Sequence, residues 1–188
     1  MNLELEIQEH FKVLHENKNS IIDGINFVAP LINQALLNGN KILICGNGGS
    51  AADAQHIAAE FTGRFVKERI ALPCIALTTD TSALTAIGND YGFERIFARQ
   101  VEALGKKGDI LIGISTSGNS QNVINAFHKA ITLDMICISF TGKDGGKISE
   151  IENVHNLNIV SNTTARIQEM HILMGHLICS TVDENYGD

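Results

Sequence analysis

Two pairs of side chains have the spacing of a reacting or metal-binding site. His56 and Glu60 stand four residues apart, which on a helix places them on one face a turn apart. Gln168 and His176 stand eight apart, about 80° around a helix at ~3.6 residues per turn, so they can point the same way from adjacent turns. A lone histidine on an apolar helix is more often a satisfied core residue than a ligand. Two helices that each offer a histidine and an oxygen side chain would, if they converge, supply two nitrogens and two oxygens, a set that suits tetrahedral Zn2+. The carboxylate and imidazole of Glu60 and His176 are equally candidates for acid–base catalysis, provided burial and neighbours tune them toward neutrality.

Three polar turns accompany these pairs. Gly46-Asn47-Gly48-Gly49-Ser50-Ala51 follows an apolar run and opens the helix of His56 and Glu60. Its glycines let backbone N–H groups approach an anion at the positive end of the helix dipole. The spacing is also that of a dinucleotide turn, but that fold wants an acidic residue ending the second strand roughly 20 residues on. Here the second strand runs much later into Thr78-Thr79-Asp80, so no nucleotide cofactor is expected. In the second turn, Ser115-Thr116-Ser117-Gly118-Asn119-Ser120, four hydroxyls and an amide converge on a helix start. One serine would suffice as a cap; four hydroxyls point instead to a phosphate held by neutral donors. The third, Thr141-Gly142-Lys143-Asp144-Gly145-Gly146-Lys147, lacks the phosphate-loop spacing, because Lys147 is followed by Ile148, and an NTPase is rejected.

The elements that must position these turns can be read from hydrophobic periodicity. Short apolar runs at Lys41–Cys45, Pro73–Leu77, Asp109–Ile114, Met135–Phe140 and, more weakly, Val154–Val160 have no alternation, as expected of parallel strands buried on both faces. Helical stretches lie between them at about 50–65, 82–104 and 118–133, with a short piece near 144–150 and a closing helix at about 164–184. Alternating strand and helix predicts an α/β fold, three layers around a doubly wound five-stranded parallel sheet. In such sheets ligands collect at the carboxyl ends of the strands, where every one of these turns falls. Residues 3–38 carry helical periodicity ahead of the first strand, with Leu3, Ile7, Phe11 and Leu14 as one stripe. Pro30 is expected to kink the second of two helices there or to mark its start. The first of these is a candidate for packing against a neighbouring subunit.

Composition narrows the classes. With 188 residues the chain suits one domain, 1–188, with a full core. The formal charge of −7 and the absence of a basic run remove the electrostatic footprint of a nucleic-acid binder. Cys45, Cys74, Cys137 and Cys179 are scattered without metal spacing and read as small buried hydrophobes of a reducing cytosol. The acidic, periodic N-terminus is not a signal peptide, and no apolar run approaches the ~20 residues of a membrane span, so a cytoplasmic protein is expected.

Taken together, the glycine turn with His56 and Glu60, the serine loop, the Thr141–Gly146 turn and Arg166-Ile167-Gln168-Glu169 with His176 resemble the bacterial phosphoheptose isomerases of the sugar isomerase (SIS) domain family, over essentially the whole chain. The resemblance implies a flavodoxin-like strand order and a homotetramer with active sites at subunit interfaces, the N-terminal helices lying in the interface. It implies conversion of D-sedoheptulose 7-phosphate to D-glycero-D-manno-heptose 7-phosphate through an enediol, toward heptose precursors of lipopolysaccharide or capsule. Carried over by position, Ser115, Thr116, Ser117 and Ser120 would bind phosphate. Asn47, Gly48, Gly49, Ser50, Glu60, Asn89, Asp90 and Gln168 would contact the substrate, Arg64 would reach a neighbouring site, and Glu60 and His176 would be catalytic. His56, Glu60, Gln168 and His176 would hold one Zn2+ per subunit. A non-catalytic SIS-fold tetramer that binds a replication initiator protein is the alternative; such a protein could do without Glu60 and His176.

Overall fold

The computed structural model describes residues 2–186. Five strands, β1 (Ile42–Gly46), β2 (Cys74–Ala76), β3 (Ile110–Ser115), β4 (Ile136–Gly142) and β5 (Val154–Ile159), form one sheet in the order β2-β1-β3-β4-β5. Every pairing is parallel, with Ile44 opposite Ile112 and Ile112 opposite Ile138 at the centre. This is the expected doubly wound, flavodoxin-like arrangement.

Because successive strand residues face opposite sides, the sheet needs cover on both. On one side Ile42, Ile44, Ile110, Ile112 and Ile138 pack with α1 (Leu3–Leu37), α2 (Gly49–Thr62) and α6 (Thr164–Tyr186). On the other, Leu43, Cys45, Leu111 and Cys137 pack with α4 (Ile96–Leu104) and α5 (Gln121–Thr132). Ile44 and Leu43 are both fully buried, each worth roughly 1.5–3 kcal/mol relative to exposure. The four cysteines are all buried free thiols; burial pushes those of Cys137 and Cys179 up to about 12.

Three expectations are corrected. The N-terminal segment is one continuous 35-residue helix rather than two, with Pro30 inside it. The ring of Pro30 faces solvent, while Val28, Ala29 and Ile32 on either side of it are buried, so packing carries the helix through a missing donor. The predicted 82–104 helix is broken at Gly92, whose φ of 90° no α-helix allows, into α3 (Thr81–Tyr91), a 3-10 turn (Phe93–Arg95) and α4. α3 buries no residue. Finally, α1 is by length and hydropathy sufficient for a membrane span, contrary to the expectation from apolar runs; 44% of its most apolar window is buried inside the protein, as in a core helix. Its first turns are not covered: Leu3, Ile7 and Phe11 are 70%, 58% and 64% exposed.

Candidate active site

β1, β3 and β4 end at the same edge of the sheet, so the three polar turns predicted from sequence come out side by side. Between β1 and β3 the chain reverses its winding direction, which opens the crevice where such sheets bind ligands. Two helices begin in this crevice, and neither has a side-chain cap. Gly48 stands at the cap position of α2 and Ser120 at that of α5, both without a side-chain bond to the helix amides. By contrast, α1 and α3 are capped by Asn2 and Asp80. Without a capping side chain the helix starts stay open to an anion, although Ser50 N and Val123 N already bond Asn47 O and Ser120 O at 3.0 Å each.

The glycine turn is shaped by Gly48, whose φ of 58° with ψ of −120° excludes a side chain, and whose missing Cβ would face open space. A small cavity of about 170 Å3 adjoins it, lined by Asn47, Gly48, Thr78, Leu84, Phe93 and Phe97. Ser50 is buried beneath the turn. Asn47, expected at the sugar, has its side chain engaged elsewhere: it donates to Asn122 Oδ1 (2.9 Å) and accepts from Asn122 Nδ2 (2.8 Å).

In the serine loop, Ser115 is buried and its Oγ lies 2.8 Å from Ser120 Oγ, while Thr116 and Ser117 are partly exposed. Gly118 holds a φ of +64° directly against the Gly145 carbonyl, so the Gly142–Gly146 turn acts as the loop's backstop. Ile148 N donates to Gly118 O (3.0 Å) and Lys147 N to Asn119 Oδ1 (3.1 Å). That backstop rests in turn on a buried polar network in which Thr141 Oγ1 donates, bonded at 2.6 Å to Asn156 Oδ1 and lying 2.9 Å from Asn158 Oδ1. His171 closes it from α6, its Nε2 donating to Thr141 O at 2.9 Å. Desolvation lowers the His171 pKa to about 4, so the ring is neutral with Nδ1 as the unpartnered atom.

The charged part of the site lies in the seam between α2 and α6. Gly49 abuts the Gln168 amide and Ile57 abuts Gly175, so the helices run side by side in the same direction. This brings three of the four side chains together, His56 Nε2 lying 3.2 Å from Glu60 Oε1 and 3.4 Å from His176 Nε2, while Gln168 lies against Gly49 at the start of α2. Phe65 stacks on the His176 ring at 5.4 Å between centroids. The seam is fastened at its far end by buried Arg69, whose guanidinium bonds Asp183 Oδ1 (2.7 Å) and the carbonyls of Glu60 (2.7 Å) and Phe61 (2.9 Å).

The donor set can be tested against zinc. Bonds of 2.0–2.1 Å in a tetrahedron put neighbouring donors about 3.3 Å apart. The two separations at His56 Nε2 match that edge, and two nitrogens with a carboxylate oxygen are ligands zinc accepts. Among the described residues no three His, Cys, Asp or Glu side chains form a closed metal cluster, so the fit is one of donor type and of these two edges.

Not every expected residue joins this site within one chain. Asn89 and Asp90 are exposed at the end of α3, bonded to one another at 2.8 Å. Arg64 is exposed, donating to Val66 O at 3.2 Å and facing Glu68 at 3.6 Å. Conversely, sequence reasoning missed two residues. Asp53 lies one turn before His56 on α2; burial raises its carboxyl pKa, the neighbouring His56 and His176 lower it, and its Oδ2 is buried without a partner. Its i, i+3, i+7 spacing with His56 and Glu60 was a usable signal. Asn122 gave none, since an asparagine two residues into a helix is unremarkable by itself.

Residues 7–142 match the model of the SIS domain family. The chain is 58% identical over 185 residues to a phosphoheptose isomerase of Campylobacter jejuni subsp. jejuni serotype O:6, covering 98% of both. It is 67% identical over 150 residues to a phosphoheptose isomerase of Aliarcobacter butzleri, covering 80% of this chain and 79% of that one. Its fold superposes on the structure of a phosphoheptose isomerase from Neisseria gonorrhoeae with a TM-score of 0.91 at 50% identity, covering 97% of each.

Proposed function

The chain belongs to the SIS domain family and, within it, to the phosphoheptose isomerases, and from that membership we propose how its own residues carry the reaction. The protein is an aldose–ketose isomerase acting on D-sedoheptulose 7-phosphate. The observation that carries the mechanism is the convergence of Glu60 and His176 on His56 at the α2–α6 seam.

The phosphate sits in the Ser115–Ser120 loop, held by hydroxyls and by the first amides of α5, and Asn47–Ser50 with Gln168 face the sugar. Glu60 takes a proton from C1 of the ketose while His176 donates one to the C2 carbonyl oxygen. The resulting enediol collapses as the C1 hydroxyl gives its proton back to the His176 imidazole and the Glu60 carboxyl returns a proton to C2, leaving the aldehyde and both residues in their starting states. His56, Glu60, Gln168 and His176 are the residues that would hold Zn2+. When bound, the metal supplies a Lewis acid for the substrate oxygens. Because a ligated carboxylate is a poor base, the metal reading has a sharp test. Loss of turnover on chelation with recovery on zinc addition supports a required metal, and unchanged turnover removes it.

Asn89, Asp90 and Arg64 lie exposed, and α1 and α3 leave apolar surface uncovered. Both facts support a homotetramer in which neighbouring subunits complete each site; the isomerase membership supports a cytoplasmic role in supplying heptose for lipopolysaccharide or capsule. The relatives described above speak for catalysis, and none for a module that binds a replication initiator. The deciding assay offers sedoheptulose 7-phosphate alongside ribulose 5-phosphate and fructose 6-phosphate. Preference for the heptulose is the expected result; turnover of the pentulose or hexulose instead would reassign the substrate.

A further inference from the structure

The Asn47–Asn122 pair stands apart from the other hydrogen bonds at the crevice. Asn122 is in the first turn of α5, 3% exposed, and both ends of its amide are used: Nδ2 donates to Asn47 Oδ1 at 2.8 Å, and Oδ1 accepts from Asn47 Nδ2 at 2.9 Å and from Val123 N at 3.0 Å. The result is a closed, two-bond amide ring between residues 75 apart in sequence. It ties the glycine turn after β1 to the helix that follows the serine loop after β3. These are the two segments that lead into the uncapped helices of the crevice. A ring of two bonds fixes orientation as well as distance, which a single bond between two flexible side chains does not.

We propose that Asn122 is a positioning residue that sets the register between the phosphate end and the sugar end of the site, acting through Asn47. Asn122 is 3% exposed and both ends of its amide are bonded, so its effect is on where the Asn47–Gly48–Gly49 backbone stands relative to Ser115–Ser120. The consequence is specific. A ligand that bridges both ends should feel the loss of Asn122, and one that occupies only the phosphate end should not. This inference rests on the isomerase reading for its bridging ligand.

The test compares binding of inorganic phosphate with binding of sedoheptulose 7-phosphate, by calorimetry, in wild type, Asn122→Ala, Asn122→Asp, Asn47→Ala and the Asn47→Ala/Asn122→Ala double variant. Asn122→Ala should leave phosphate affinity within about twofold and weaken the sugar phosphate about tenfold. Asn122→Asp keeps the acceptor for Asn47 Nδ2 and Val123 N and should fall between. The double variant should lose no more than the worse single one, because the two residues act as a unit. Parallel loss of phosphate and sugar phosphate would reduce Asn122 to a support of the α5 start and overturn the proposal, as would additive losses or no loss. A wild type that binds the sugar phosphate no tighter than phosphate also overturns it. Thermal midpoints report separately whether a variant has folded. Turnover absent in a wild type that still binds the sugar phosphate more tightly would fail the isomerase reading alone.

Discussion

The two ends of the sheet treat their polar groups in opposite ways. At the amino end, Asp109 precedes β3 and Lys41 precedes β1. The Asp109 carboxylate is 2% exposed and saturated: it accepts from Lys41 N (3.0 Å), Lys106 N (2.9 Å) and Asn40 Nδ2 (3.2 Å), and pairs with Lys41 Nζ. At the carboxyl end two helices start without side-chain caps, and along the α2–α6 seam that runs back from it Asp53 Oδ2 has no partner while the Glu60, His56 and His176 side chains face one another. Groups whose hydrogen bonds are complete hold the fold. Groups left incomplete at a crevice are where a ligand completes them.

That contrast is broken most directly at Asp109. Asp109→Ala leaves Lys41 without its counter-charge and two backbone amides without an acceptor, and should lower unfolding free energy by about 3–5 kcal/mol in urea titrations. Burial alone would raise the Asp109 pKa, but the bonds from Lys41, Asn40 and Lys106 together lower it. Its contribution is therefore present above the unfolded carboxyl value near 4 and is lost as pH falls through the lower folded value. Turnover per folded molecule at neutral pH should be unchanged. A variant that unfolds normally and loses turnover would put Asp109 in the wrong class.

The α2–α6 seam should answer in the opposite way. Glu60→Gln and His176→Gln keep size and polarity, and should each cut kcat by ~100-fold, equivalent to about 2.7 kcal/mol of transition-state stabilisation, while the thermal midpoint stays close to wild type. Near wild-type turnover in either variant would remove that residue from the proton transfers.

The same division explains what was legible in the sequence. The strands and the three polar turns follow from apolar runs and glycine–serine punctuation, which are local, the strand order only from the family resemblance, and the 56/60 and 168/176 pairs from helical spacing. Their meeting does not, because it depends on α2 and α6 packing through Gly49 and Gly175. Pro30 misled because its cost is local while the burial that offsets it, at Val28, Ala29 and Ile32, is tertiary. The family resemblance places Asn47 at the sugar, and only its partner 75 residues later shows that the side chain is occupied. Asn89, Asp90 and Arg64 could be numbered but not placed, since their own chain gives them no role at the seam.

His171 tests whether a carboxyl-end group can belong to the saturated class. It lies beneath the serine loop's backstop, fully buried, with its pKa lowered to about 4 by desolvation. Since the unfolded imidazole titrates near 6.5, the unfolded state binds more protons between these values, and stability falls as pH drops through that window. The loss should be roughly 2.5 kcal/mol between pH 7.5 and 4.5, and His171→Leu should flatten it. An unchanged slope in the variant would mean that another group carries the acid sensitivity.

The smallest effect is expected at the Ser115–Ser120 contact, which is half saturated: each hydroxyl has the other as a partner at 2.8 Å and retains capacity for a ligand. Ser120→Ala removes one neutral donor to phosphate and frees Ser115 to turn. Losing one hydrogen bond to a charged group, partly replaced by the remaining hydroxyls and the α5 amides, should raise KM for the sugar phosphate by roughly tenfold with little change in kcat. Stability should hold within ~0.5 kcal/mol because Ser120 does not cap its helix. A stability loss near 1 kcal/mol with KM unchanged would instead make Ser120 an ordinary cap, and the serine loop would join the amino end as structure.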